Sequence, residues 1–157
     1  METIYQKLNK SIEIFLIVIF TLLVIDVVWQ VFSRYVIGQS NSFTEEFARF
    51  ALIWLSVLGA AYLHGKREHL SMDYLVNKLD EGQKAQRLNR IDIIVMIFAI
   101  IVMVIGGANL VYTTLYLGQV SPAMHVPLGY IYSIVPFSGL LIVFYSFYNI
   151  SHSKTKV

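Results

Sequence analysis

Residues 45–73 read EEFARFALIWLSVLGAAYLHGKREHLSMD. The stretch opens on two glutamates and an arginine, runs apolar through the paired small residues Gly59 and Ala60, and closes on basic residues and histidines. One membrane crossing with both edges marked accounts for that order. The 16 residues 50–65 hold no Lys, Arg, Asp or Glu, and as a helix they would span only about 24 Å. The helix is therefore expected over 44–65, with Glu45, Glu46 and Arg49 in its first turns at the interface. Thr44 or Ser42 is the candidate N-cap, and two glutamates suit the positive end of a helix.

The rest of the chain reads in the same solvent. Of its 157 residues 57% are hydrophobic and 14% charged, against about 25% charged in soluble domains. A soluble core of this size cannot hide so much apolar surface, so a lipid bilayer is the expected partner of most of it. There is no cysteine, which excludes disulfides and thiolate metal sites. A net charge of +2, with no basic face interleaved with aromatics, gives no reason to expect nucleic acid.

Upstream, residues 12–36 form a first expected crossing, 25 residues long and ample for a hydrocarbon core of about 30 Å. Lys7 and Lys10 before an apolar run resemble a signal peptide, but no small-residue cleavage site follows, so a retained anchor is expected. Gly38, Asn41 and the neighbouring serines supply turn chemistry. Downstream, Met72, Leu75, Val76 and Leu79 repeat along one helical face, with Ser71 as candidate cap and Gly82 as candidate stop. That predicts a short amphipathic interfacial helix over 71–81. From Ile93 to Ser153 there are 61 residues without Lys, Arg, Asp or Glu, enough for two crossings, over 93–117 and 128–148, around the turn GQVSPAMHVPLG. Pro136 removes a backbone donor and should kink the last one.

Ten of the twelve Lys and Arg residues fall on the N-terminus, the central loop and the tail; only Arg34 and Arg49 lie on the other side. Both termini are therefore expected in the cytoplasm. The expectation is one all-α integral membrane domain: four transmembrane helices, with the interfacial helix between the second and third.

Few residues offer chemistry. Asp26 is the one carboxylate deep in a crossing, and an intramembrane ionisable residue is a functional candidate by default. It would serve either as a proton or cation site, making the chain an independent small coupled transporter, or as a carboxyl hydrogen-bonded to another helix or to Gln30 one turn on. The second reading is preferred, because a coupled transporter needs more than one such group. Arg34, Glu45, Glu46 and Arg49 should form a compact cluster at the outer hairpin end, structural first and a docking surface second. His64, Glu68, His69 and Asp73 are all metal-ligand types, but H-E-x-x-H and other recognised spacings are absent, so no metal site is expected. Haem needs axial histidines inside the crossings, and His64, His69, His125 and His152 lie at edges, turn and tail. No cofactor and no enzymatic activity are expected.

The segment QVFSRYVIGQSNSFTEEFARFALIWLSVLGAAYLHGKREHLSMDYL resembles the signature region of the small membrane subunit of tripartite ATP-independent periplasmic (TRAP) transporters. There an Arg-Tyr pair ends the first helix, a Glu-rich turn with a following Arg opens the second, a Gly-Ala pair follows, and His and Asp mark the cytoplasmic exit. Here those positions are Arg34, Tyr35, Glu45, Glu46, Arg49, Gly59, Ala60, His69 and Asp73. The turn SPAMHVPLGYIYSIVPFSG, with Ser121, Pro122, Pro127, Pro136 and Gly139, resembles the family's second recurring block. His125 and the polar run 78–90 match no family position. The resemblance implies a bacterial inner-membrane scaffold subunit partnered by a large membrane subunit and, transiently, by a periplasmic substrate-binding protein. It further implies sodium-driven uptake of an organic acid such as a C4-dicarboxylate, sialic acid or another sugar or keto acid. Substrate specificity is expected to reside in the partners.

Overall fold

The structure, a computed structural model, describes residues 2–38, 41–66 and 81–153. Most of those residues are helical and none lies in a strand, although Val120 and Pro127 in the loop 117–127 form an isolated bridge. In order come α1 (Glu2–Phe32), a π-helical turn π1 (Ser33–Ile37), α2 (Ser42–Lys66), α3 (Glu81–Phe98), a second π segment π2 (Ala99–Gly106), α4 (Gly107–Tyr116), α5 (Leu128–Tyr132) and α6 (Ile134–Ser153). Among the described residues four spans are long and apolar enough to cross a bilayer: Tyr5–Ile37, Ser42–Lys66, Arg87–Tyr116 and Leu128–Ser151.

The first and third spans outrun the apolar stretches 12–36 and 93–117, because α-helical hydrogen bonding is local and carries a helix through charged turns at the bilayer edge. No glycine or proline interrupts residues 2–32, so α1 continues until π1 widens it and Gly38 closes it at a left-handed φ of 73°. The start of α2 differs from expectation. Asn41, not Thr44 or Ser42, is the cap: its side-chain oxygen accepts from the Phe43 amide at 3.0 Å, while the Thr44 hydroxyl donates to the Asn41 carbonyl at 2.8 Å. The interfacial helix expected over 71–81 lies outside the described residues, apart from Glu81, which begins α3. Gly82 stands in the first turn of α3 and ends no helix there.

The residues group into two compact units. The first combines Met1–Gly59 with Leu110–Ile134. In it the Trp54 indole donates to the Ile131 carbonyl at 2.9 Å, and its ring lies 6.1 Å from that of Phe15. The expected effect of Pro136 takes the form of an interruption at Ser133, between α5 and α6. Pro136 has no amide hydrogen to offer the Tyr132 carbonyl four residues back, so regular helix bonding lapses there. The second unit combines Ala60–Asn109 with Val135–Val157. Its core holds Ala61, Ala99, Leu141, Ile142 and a fully buried Tyr145. Two glycines let π2 and α4 approach α6 closely: a Cβ on Gly139 would lie 2.8 Å from Met103 Cβ, and one on Gly107 would lie 2.9 Å from Pro136 Cδ.

The Gly-Ala pair of α2 behaves otherwise. A Cβ on Gly59 would meet nothing within 4 Å, and Ala60 is exposed. Among the described residues Gly59 therefore makes no close helix contact, unlike Gly107 and Gly139.

Candidate functional site

Consecutive residues on a helix point about 100° apart, so Glu45 and Glu46 cannot serve the same neighbour. Glu45 turns toward α1, where its Oε1 lies 3.7 Å from Arg34, both side chains well exposed. Glu46 turns toward the loop between the third and fourth spans. Its Oε2 accepts the Ser121 hydroxyl and the backbone amides of Ala123 and Met124, the latter two at 3.1 Å. The four-residue cluster expected at the hairpin end is thus divided into an Arg34–Glu45 pair and a Glu46 clamp. Arg49 stays exposed on α2, three residues from Glu46, whose charge it attracts.

The clamp organises a tight turn. Ser121 is fully buried; its amide donates to the Val126 carbonyl at 2.9 Å, and the Leu128 amide donates to the Gln119 carbonyl at 3.0 Å. The His125 amide bonds back to the Ser121 carbonyl at 2.9 Å, which holds exposed His125 at a φ of 55°. Such a conformation persists only where its surroundings over-determine it. Hydrogen bonds to a carboxylate are the strong kind, and one oxygen here collects three.

Asp26 is tied to the same hairpin. Gln30 Nε2 donates to Asp26 Oδ2 at 2.6 Å and to the Thr44 carbonyl at 3.0 Å. One amide therefore satisfies the intramembrane carboxyl and joins α1 to the first turn of α2. Tyr35, beside Arg34 in π1, is 82% exposed and leaves its ring available to whatever surrounds the hairpin.

The second unit holds a polar group that sequence reasoning missed. His64 Nε2 and Ser146 Oγ share a hydrogen bond of 2.8 Å, and the same nitrogen lies 3.8 Å from Asp92 Oδ1. All three residues are buried. They join the end of α2 to α3 and α6, beside Gly65, where an added Cβ would stand 2.8 Å from the Tyr145 ring. Serine, histidine and aspartate here do not form a hydrolytic triad. That chemistry needs the acid on one ring nitrogen and the nucleophile on the other, whereas both contacts fall on Nε2. The signal for Asp92 was its place between Ile91 and Ile93 at the head of the charge-free run.

Glu68, His69 and Asp73 lie outside the described residues, so the metal grouping drawn from them is not placed. Among the described residues no three His, Asp or Glu side chains converge as a metal site would require.

Residues 22–154 match the family described as the DctQ component of tripartite ATP-independent periplasmic transporters. The chain is also 31% identical over 142 residues to a Haemophilus influenzae protein bearing the provisional name TRAP transporter small permease protein. That alignment covers 90% of this chain and 86% of the relative.

Proposed function

The chain belongs to the DctQ-component family of TRAP transporters, and on that premise we propose that it is a scaffold subunit with no transport path of its own. In this role it supports a large membrane subunit during sodium-driven uptake of an organic acid delivered by a periplasmic binding protein. It resides in the bacterial inner membrane with both termini in the cytoplasm.

The observation that carries this reading is the state of the first span. It is long enough to cross the bilayer, yet only 6% of its most apolar stretch is buried. Ile14, Ile17, Phe20, Ile25, Val28 and Val31 are all more than half exposed. A helix in so small a protein that contributes so little to its own core is suited to contact with another subunit. Gly59 and Ala60 extend the argument: among the described residues Gly59 is open and Ala60 is exposed, and small residues on an open face allow close approach of a partner helix. Three carboxylates within the spans point the same way. Asp26, Glu46 and Asp92 each have partners inside the chain, an arrangement suited to structure and not to a path that must bind and release an ion.

Tyr35 and Arg49, exposed at the edge of the hairpin, are the docking positions assigned to the binding protein, with Glu46 reserved for the loop and Arg34 and Glu45 paired with each other. His69 and Asp73 mark the cytoplasmic exit by family resemblance.

The absence of native cysteine makes the test direct. Single cysteines at Ile17, Phe20 and Ile25, all more than half exposed, each carrying a benzophenone attached in detergent, should photocrosslink to the large subunit when the two are reconstituted together. No crosslink from any of the three would refute the scaffold surface. For the transport role, the complex with its binding protein should accumulate a labelled organic acid only under an inward sodium gradient; uptake indifferent to sodium would remove that coupling.

A further inference from the structure

We propose that the cleft between π1 and the start of α2 is a binding site for the headgroup of a phosphoethanolamine lipid, with Arg34 taking the phosphate and Glu45 the ammonium. The cleft encloses about 220 Å³, and its lining includes Val27, Gln30, Val31, Arg34, Asn41 and Glu45. Its position fixes its environment. The two spans that form it are joined by residues 38–41, so its mouth lies at a membrane surface. Val27, seven residues before Arg34, lies about 10 Å deeper. A charged mouth over an apolar wall matches an amphiphile standing in the bilayer.

The side chains define the headgroup. Arg34 is 67% exposed in its side chain, and among the described residues its ion-pair contact is Glu45 at 3.7 Å, too long for a hydrogen bond. A guanidinium has five N–H donors in a planar fork that fits a phosphate with two parallel bonds. At the level of lipid phosphates those donors have a natural acceptor. The π turn bears on this because it departs from α-helical register at Arg34 and Tyr35, and such turns recur at functional sites.

Glu45 then selects among lipids. The Arg34–Glu45 pair carries no net charge, so a zwitterion meets attraction at both ends, whereas a phosphatidylglycerol headgroup meets repulsion from Glu45. The ammonium of ethanolamine can donate hydrogen bonds to the carboxylate; the quaternary nitrogen of choline has no hydrogen to donate. Gln30 closes the inner wall, since both hydrogens of its amide are already given to Asp26 and the Thr44 carbonyl. Below the mouth, exposed Val24, Val28 and Val31 on α1 offer the acyl chains an apolar track.

The test is native mass spectrometry of the full-length chain released from nanodiscs of matched acyl composition containing phosphatidylethanolamine, phosphatidylcholine and phosphatidylglycerol. The wild-type chain should retain phosphatidylethanolamine about tenfold over the other two, the ratio expected from one charge-assisted hydrogen bond. R34Q should lose retention of all three, and R34K should keep part of it. E45Q should reverse the order so that phosphatidylglycerol is retained best. Retention independent of headgroup, or unchanged in R34Q with helix content intact, would overturn the proposal. If R34Q fails to fold, E45Q decides alone: unchanged lipid order there refutes the site. The same measurement on the chain copurified with the large subunit assigns the cleft in the complex. Loss of the lipid there, with a crosslink from the cleft to that subunit, gives it to protein and refutes the lipid.

Discussion

The buried group of His64, Asp92 and Ser146 makes a quantitative claim about how the second unit is held together. Replacing His64 by Leu removes the 2.8 Å bond to Ser146 and the cationic or dipolar partner of Asp92 at 3.8 Å. The first loss is about 1 kcal/mol, the usual net worth of an intramolecular hydrogen bond. The second is larger, because a buried carboxyl is left short of a partner in a site with almost no water, at about 2 kcal/mol. H64L should therefore destabilise the chain by about 3 kcal/mol. D92L should cost a similar amount by leaving the imidazole short. The double variant H64L/D92L should lose less than either single one, because two apolar side chains of similar bulk replace a polar pair at little cost. The favourable coupling read from the four proteins should be about 3 kcal/mol or more. Unfolding in mixed micelles, followed by tryptophan fluorescence, gives all four values, Trp29 and Trp54 being the native reporters. Additive losses in the double variant would refute the coupling and reduce the group to separately solvated side chains.

Four further outcomes follow from the geometry. E46A should expose the Ala123 and Met124 amides to rapid hydrogen exchange while α1 stays protected, with E46Q intermediate because it keeps an acceptor but not its charge; unchanged protection would show the clamp is not what holds the loop. G139L should destabilise the chain by about 1–3 kcal/mol through overpacking against Met103, whereas G59L should leave unfolding unchanged and weaken copurification with the large subunit. Q30L should cost about 1–2 kcal/mol by stripping Asp26 and the Thr44 carbonyl of their shared donor, measured in the same micelles. D26N should leave uptake by the assembled complex intact, since an amide can still bond to Gln30; loss of ion coupling with assembly preserved would return Asp26 to the role of a transport site.

The crossings could be read from sequence because length and charge-free composition are properties of a segment, and residues 44–65 anticipate α2 (Ser42–Lys66) closely. What failed depends on rotation and on neighbours. Asn41, Ser42 and Thr44 are all capable caps, and the backbone path entering the helix chooses among them. Glu45 and Glu46 look alike as a pair, but adjacent positions face different elements, so one meets Arg34 and the other Ser121. Nothing local in the sequence distinguishes an acid at a helix edge that faces water from one, such as Asp92, that faces His64. Gly59 stands in the sequence as a small residue mid-helix, while Gly107 and Gly139 make the close approaches because π2, α4 and α6 pack there.

The central claim is that the chain contributes structure and contacts to transport but no pathway. Reconstitution into sodium-loaded and sodium-free proteoliposomes tests it most directly, comparing the chain alone, the large subunit alone, and the two together with the binding protein. Accumulation of the organic acid in the complete assembly, with none by the chain alone under any gradient, is the predicted result. Gradient-driven uptake by the chain alone would contradict it.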